Sequence, residues 1–262
     1  MTDSLTGKRM VAGKCLFLLA LFLGTIVPAG LAVQPDKKFE EANASYRTGD
    51  YEHAAKLYRE LSETDPGNSV YLYDLGNACV RLGRLSEAVL AFEKALLIAP
   101  RDKDIRQNRD YARSLLEYRV DDNRNWYLRA AESALSRFTQ TEMNFFALSF
   151  AAIFLTAAIC FYVFRQTVFW GAGRRTLLVI ALLASAVAFY KQARSGLVRP
   201  SIVMTKECEA RYGPSAHDQV AFRMGEGIRV FLVDRREDWS RVLLTNGESG
   251  WVRNGDIEEI GQ

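Results

Sequence analysis

The hydrophobic and polar positions between residues 35 and 102 follow a pattern that repeats every 34 residues. Residues 47–67 read RTGDYEHAAKLYRELSETDPG, and residues 81–101 read RLGRLSEAVLAFEKALLIAPR. In each copy the apolar residues have helical spacing, a glycine interrupts this spacing and a proline ends it. The pattern therefore predicts two helices joined by a turn in each copy. The matched pairs are Ala42 and Gly76, Gly49 and Gly83, Tyr51 and Leu85, Ala54 and Ala88, Tyr58 and Phe92, and Pro66 and Pro100.

A 34-residue period of helix, turn and helix is the signature of the tetratricopeptide repeat, and residues 35–68 and 69–102 give two such units. About three units are normally needed to bury the apolar faces. The segment after Pro100 resembles a third first helix, but no second helix follows it; its helically spaced apolar residues are Ile105, Tyr111 and Leu115. We therefore expect an all-α array over residues 35–118 that ends in a polar capping helix.

Residues 119–142 form a linker between this array and the next apolar run. The linker contains Trp126, Tyr127, Leu128 and Phe138, which suit a helix lying at a bilayer surface. Packing of the same residues against the repeats would explain them equally well, and the sequence leaves both interpretations open.

The first helices of the units line the concave face of such an array. Asparagines recur there, and their amides donate and accept hydrogen bonds, which suits the backbone of an extended peptide. Repeats of the peptide-clamp type hold a C-terminal carboxylate with asparagines and basic residues, and this chain lacks the full basic set. The predicted peptide-binding face consists of Asn43, Arg47, Tyr73, Asn77, Arg81 and Asn108. The alternative is that each of these is an ordinary solvated side chain.

Three long apolar runs predict export and a membrane anchor. Residues 1–32 have a basic start, an apolar run and small residues, as a signal peptide does, with an uncleaved anchor as the alternative. Residues 143–164 are uncharged and long enough to span the lipid bilayer, and residues 173–191 become so if their basic flanks reach the interfaces. The turn between them is basic, which places it in the cytoplasm and both folded regions on the external side of a bacterial inner membrane.

From Pro200 onward, short β-branched and aromatic runs alternate with turn residues, which predicts a small all-β barrel of five strands. Residues 201–205 are the first predicted strand. The pair Asn246-Gly247 predicts a hairpin with a two-residue turn. The candidates for an aromatic groove are Tyr212, Phe231, Trp239 and Trp251. For the two tryptophans, half-buried packing is the alternative.

Charge and motifs exclude several classes of function. The net charge of +3 provides no large basic face for nucleic acid. The chain contains no GxSxG, HExxH or GxxxxGK[ST] motif, and no CxxC pair. The two histidines, His53 and His217, have no evident catalytic partners. We therefore expect no enzyme activity, no metal and no cofactor.

Residues 198–261 resemble a bacterial SH3 domain through the stretches ARYGPS, FRMGEGIRVFLV and DWSRVLLTNGESGWV. The resemblance implies that FRMGEGIRVFLV forms two strands that pair with each other around a glycine turn. Such domains bind peptides or peptidoglycan in some families and only pack in others. The order of parts, from signal and repeats to membrane hairpin and external barrel, resembles BatE-type proteins of the bacterial Bat (aerotolerance) group. That resemblance implies protein partners such as membrane proteins with von Willebrand A domains and a MoxR-type ATPase, and it brings no catalytic residues.

The sequence thus predicts a multidomain membrane protein with two interaction modules. One interpretation is a non-enzymatic scaffold that binds partner proteins in an aerotolerance or envelope-stress complex. The other is a membrane-anchored protein that binds peptidoglycan through its SH3-like domain.

Overall fold

The computed structural model describes residues 37–118, 125–139, 141–146, 148–149, 152 and 199–261. Every described residue belongs to one compact unit, which begins at Lys37. The predicted signal peptide, the second predicted membrane helix and most of the first lie outside the described residues. Within the described part, no helix is both long and apolar enough to cross a membrane.

The two predicted repeats fold as two pairs of helices: α1 Lys37–Thr48, α2 Tyr51–Thr64, α3 Ser69–Arg81 and α4 Leu85–Ile98. Gly49 and Gly83 separate the helices of each pair with φ of +87° and +73°. Glycine adopts this left-handed conformation without the steric cost that a Cβ atom brings, and so it ends the first helix of each pair. The second helices end shortly before Pro66 and Pro100, as the sequence predicts.

Small residues let the helices of each pair approach closely. Ala42, Ala54 and Ala88 are fully buried, and the rings of Tyr58 and Phe92 fill the space beside them. At Gly76, an added Cβ atom would overlap the Phe92 ring. The matched positions of the 34-residue pattern are therefore the contacts that hold each pair together.

The capping helix α5 spans Lys103–Ser114 and begins at Asp102, whose carboxylate accepts hydrogen bonds from the backbone N–H groups of the first turn. Ile105 is buried, whereas Tyr111 and Leu115, the other two residues of the helical spacing, are 56% and 47% exposed. Ala112 and Leu116 are buried instead. At about 100° per residue, position 112 lies about 20° from position 105, whereas position 111 lies about 120° away.

The linker contains a further helix, α6, over Trp126–Leu135. Trp126 and Tyr127 at its start are largely exposed, and the side chain of Leu128 is outside the described atoms. Beyond the helix, Phe138 lies 5.2 Å from the guanidinium of Arg101. Part of the linker therefore packs against the end of the second repeat, and its first aromatic residues do not.

The β domain is one sheet of seven strands rather than the five predicted: β1 Arg199–Val203, β2 Cys208–Arg211, β3 Val220–Met224, β4 Arg229–Arg236, β5 Trp239–Leu243, β6 Ser249–Arg253 and β7 Ile257–Glu259. Their order is β3-β2-β6-β5-β4-β1-β7, and every pairing is antiparallel. The short link of residues 225–228 joins β3 at one edge to β4 in the interior, so the sheet curls on itself. The predicted pairing of β3 with β4 around this link is therefore wrong.

The predicted hairpin at Asn246-Gly247 forms, but its turn differs from the predicted two-residue turn. Gly247 has a φ of +94°, and no described residue other than glycine has a positive φ. The backbone N–H of Leu244 donates to Glu248 and that of Gly247 donates to Leu244. These bonds define a three-residue loop in which only the last residue is left-handed, whereas the two-residue turn needs Asn246 to be left-handed as well.

Apolar packing joins the repeats to the β domain. One core lies inside the curled sheet and contains Val203, Val230, Val242 and Val252 among others. The core of the repeats extends across the domain boundary, because Ile202 and Ile260 are buried in it. The outer face of β1 and the residue after β7 therefore cover the side of the second repeat.

A buried carboxylate marks the same junction. Glu93 on α4 is 6% exposed. Its oxygens lie 2.7 Å from Arg113 and 3.4 Å from Arg109, both on α5, and 3.9 Å from Arg229 on β4. Burial alone would raise the pKa of Glu93, but these three arginines hold it below its ordinary value. The ionised side chain therefore connects the second repeat, the capping helix and the β domain.

The link between β3 and β4 fits against the end of the capping segment. Added Cβ atoms at Gly225 and Gly227 would overlap the side chains of Tyr118 and Leu116. Glycine is thus the residue that allows these backbones to approach. Lys94 on α4 and Glu258 on β7 form a further ion pair of 2.9 Å across the junction.

We expect Gly225→Ala to weaken this junction. Its methyl group must displace Tyr118, a cost of about 1–3 kcal/mol in the free energy of unfolding. The measurement is guanidinium unfolding of the full chain, followed by circular dichroism. Gly255→Ala is the matched control, because a Cβ atom there meets nothing within 4 Å. Equal midpoints for the two variants would contradict the packing described here.

Candidate functional site

Three of the residues predicted for the concave face meet across two helices. The amide nitrogen of Asn108 on α5 donates to the hydroxyl of Tyr73 at 3.1 Å and to the side-chain oxygen of Asn77 at 2.8 Å. Both acceptors are on α3, and all three side chains are partly buried. The capping helix therefore continues the polar surface of the second repeat.

The other three predicted residues lie nearby but make different contacts. Asn43 accepts a hydrogen bond of 2.8 Å from the hydroxyl of Tyr58. Arg81 donates to the hydroxyl of Tyr51 at 2.7 Å, and its guanidinium lies 4.9 Å from the centre of that ring. Arg47 is exposed. Burial raises the pKa of the Tyr58 hydroxyl, and the positive charge of Arg47 offsets a small part of that rise. Arg81 is thus held by a tyrosine of the preceding unit, and Arg47 faces solvent.

Asp74 is the residue of this surface that sequence analysis missed. It is half-buried on α3, one turn before Asn77. Burial raises the pKa of its carboxyl to about 6, and a hydrogen bond from Asn77 offsets part of that effect. Burial raises the pKa of Tyr46 and of Tyr58, and the charge of Asp74 raises both further. The i, i+3 spacing from Asn77 is the sequence signal that could have found it.

We call this surface the asparagine face; it consists of Asn43, Tyr46, Arg47, Tyr51, Tyr58, Tyr73, Asp74, Asn77, Arg81 and Asn108. It offers amides and hydroxyls as hydrogen-bonding groups, aromatic rings as contact area and one half-buried carboxylate. It holds no nucleophile paired with a base. Such a surface can bind a peptide and has no evident means of transforming it.

Among the described residues, no group of three or more histidine, cysteine, aspartate or glutamate side chains could hold a metal ion. Cys79 and Cys208 are both buried, and burial raises the pKa of each thiol to about 12. At neutral pH neither thiol is ionised, so neither is a reactive nucleophile.

The four aromatic candidates of the β domain are not equally accessible. Alternation along β5 and β6 places Trp239 and Trp251 on the outer face of the sheet, because Val242 and Val252 face the inner core. The guanidinium of Arg236 lies 5.0 Å from the ring of Trp251, which is only 8% exposed.

Phe231 is also on the outer face, 9% exposed, with the guanidinium of Arg229 at 5.6 Å from its ring. Tyr212, in the loop after β2, is 72% exposed. The candidates that present open ring surface are therefore Tyr212 and the partly buried Trp239.

A cleft of about 780 Å³ lies between the second helices of the repeats and the end of the β domain. Its lining includes Arg59, Leu90, Lys94, Met204, Glu258 and Ile260. Sequence analysis missed it because the cleft exists only where the two domains meet. Its walls combine an apolar floor with paired charges at the rim, such as Lys94 with Glu258.

Comparison with known families supports both modules. The model described as tetratricopeptide repeat matches residues 39–105, and the model described as bacterial SH3 domain matches residues 205–259. Helical repeats followed by a β domain fit this layout. Both are interaction domains without catalytic residues of their own, and they suggest binding of proteins or of cell wall.

No curated protein matches the chain. Among solved structures, a chain described as "CopN-Scc3 complex" is similar at 13% identity and a TM-score of 0.30. The similarity covers 62% of this chain and 85% of that chain. At this TM-score the likeness indicates nothing about function.

We expect Asp74→Asn to stabilise the protein at neutral pH. The pKa of Asp74 in the folded state, about 6, exceeds the ordinary value of 3.8 for an aspartate. Between these pH values the folded state binds more protons than the unfolded state, so it loses stability as pH rises through them. The variant removes this loss, and its gain in unfolding free energy should be near zero at pH 4 and about 2 kcal/mol at pH 7.5 after allowance for partial exposure.

Urea unfolding at the two pH values measures the difference. Asp110→Asn is the control, because Asp110 is an exposed carboxylate that pairs with Arg109 at 2.8 Å. A gain for Asp74→Asn of the same size at both pH values would contradict a raised pKa.

Proposed function

We propose that this protein is a non-enzymatic adaptor that binds a segment of a partner protein on the asparagine face. The observation that carries the proposal is the convergence of Tyr73, Asn77 and Asn108 across two helices. Their amides and hydroxyls point to a hydrogen-bonding surface for a peptide backbone. The matches to the two interaction domains support the same reading.

The adaptor works at the bacterial inner membrane in this proposal. Its support is the sequence, which combines a signal over residues 1–32 with apolar runs at residues 143–164 and 173–191. The repeats and the β domain then both lie on the external side and act on the same partner complex. Contact between them through Glu93 and Arg229 agrees with their lying on one side of the membrane.

The order of modules supports a more specific setting, an aerotolerance or envelope-stress complex of the Bat type. The partners in that setting are membrane proteins with von Willebrand A domains, acting with a MoxR-type ATPase.

Binding of peptidoglycan through the SH3-like domain is the second candidate function. The observation in its favour is that Tyr212 and the outer-face Trp239 both present accessible ring surface. Aromatic faces of this kind can stack on sugar rings. Cosedimentation of the full chain in detergent with isolated peptidoglycan tests it, and Tyr212→Ala should then reduce the bound fraction.

In-cell photocrosslinking tests the adaptor function. A photoreactive amino acid replaces Arg47, which is exposed on the asparagine face and makes none of the hydrogen bonds described above. We expect crosslinks to one or two envelope proteins, identified by mass spectrometry. Lys56, exposed on the outer side of α2, is the control position and should not give these products.

The same products from both positions, or crosslinks only to lipid and to the chain itself, would contradict the adaptor function. Peptidoglycan binding would then be the better account, and its cosedimentation test would decide it.

A further inference from the structure

We propose that the partner segment bound on the asparagine face carries a lysine or arginine side chain whose charge is received by Asp74. The inference rests on the adaptor function proposed above and specifies the chemistry of its ligand. It differs from capture of a C-terminal carboxylate, which the peptide-clamp pattern of asparagines would suggest.

Partial burial without a cationic partner sets Asp74 apart from the other carboxylates of the array. Those that are also partly or fully buried have such partners, including Glu87 with Arg59 and Glu60 with Lys38. Glu93, the most buried of them, has three arginines around it. Among the described residues, no lysine, arginine or histidine forms an ion pair with Asp74.

The two basic residues of the asparagine face are bound elsewhere or exposed. Arg81 is fixed on the ring and hydroxyl of Tyr51, and Arg47 is exposed. Burial raises the pKa of the Asp74 carboxyl, and no cation counters that effect. A half-buried carboxylate without a counter-charge is unfavourable in the free protein, and a bound cation would remove the penalty.

The surroundings of Asp74 suit a cationic side chain. Tyr46 and Tyr58 are close enough for its charge to act on their hydroxyls. Aromatic rings attract ammonium and guanidinium groups through their faces. Asn77 bonds the carboxylate, and Asn108 in turn donates to Asn77 at 2.8 Å, so two amides are available near it for the backbone that carries the side chain. A terminal carboxylate placed there would instead meet a like charge.

Binding should depend on pH through Asp74. The other ionisable groups of the asparagine face are Tyr46 and Arg47 on α1, Tyr51 and Tyr58 on α2, and Tyr73 and Arg81 on the same helix as Asp74. Of these, Tyr46 and Tyr58 respond to its charge. The residue that α5 contributes to this face is Asn108, which does not ionise. Tyrosine and arginine keep their protons between pH 5 and 7.5. A cation should therefore bind more tightly as pH rises through about 6.

The test uses the full chain in nanodiscs and four pools of fluorescein-labelled hexapeptides. Three pools are acetylated and amidated, with one central position fixed as Lys, Gln or Glu and the others varied over uncharged residues. The fourth has a Gln centre and a free C-terminal carboxylate. At pH 7.5, fluorescence anisotropy should show the Lys pool binding about tenfold or more tighter than the amidated Gln pool, as a hydrogen bond to a charged group allows.

The control variants locate the effect. Asp74→Asn should bring the ratio of Lys-pool to Gln-pool affinity close to one, whereas Asp110→Asn should leave this ratio as it is in the wild type. At pH 5.0 the wild-type advantage should shrink to below about threefold, because Asp74 is then largely protonated.

Several results would overturn the inference. They are equal binding of the Lys and Gln pools, preference for the Glu or free-carboxylate pool, a Lys preference that survives Asp74→Asn, or no binding of any pool. Crosslinking from position 47 distinguishes failure of this inference from failure of the adaptor function. If Asp74→Asn crosslinks to the partner protein as well as the wild type does, the cationic ligand is refuted and the adaptor function stands. If the wild type crosslinks to no partner protein, the adaptor function itself is refuted.

Discussion

Glu93 lies buried where the second repeat, the capping helix and the β domain meet, and the rest of the fold depends on how its charge is compensated. A buried carboxylate is costly unless it is paired and hydrogen-bonded. Arg109 and Arg113 come from the capping helix and Arg229 from β4, so the pairing requires both elements to be in place. Two repeats normally bury too little apolar surface to stand alone. Here the β domain covers the exposed side of the array with Ile202 and Ile260.

The two buried acids of the array illustrate two uses of the same chemistry. Glu93 is more buried than Asp74, yet its pKa is lowered because three arginines surround it. Asp74 has no such partners, and its pKa is raised to about 6. The first arrangement stabilises the folded chain, and the second weakens it in the absence of a ligand. A carboxylate left in that state on a surface of amides and tyrosines is a reason to look for a binding partner there.

The sequence predicted the local features well because they depend on near neighbours. The 34-residue pattern placed the helix pairs, and Gly49 and Gly83 end helices as expected. The same pattern predicted that Tyr73, Asn77 and Asn108 share one surface, and in the structure Asn108 donates hydrogen bonds to the other two. The junction could not be predicted, because Glu93 and Arg229 are far apart in the chain and no pattern links them. The predicted pairing of β3 with β4 was wrong for the same reason, because two strands joined by a glycine turn need not pair when the sheet curls.

Hydrogen–deuterium exchange of the full chain carrying Glu93→Gln tests the central claim most directly, namely that one buried charge holds the repeats and the β domain together. The variant keeps the shape of the side chain and removes the negative charge that Arg109, Arg113 and Arg229 share. The account predicts faster exchange in α5, β1 and β7 together, with α1 and α2 unchanged. Faster exchange confined to α4 and α5, with the β domain as protected as in the wild type, would show that the domains associate by other means and would contradict the account.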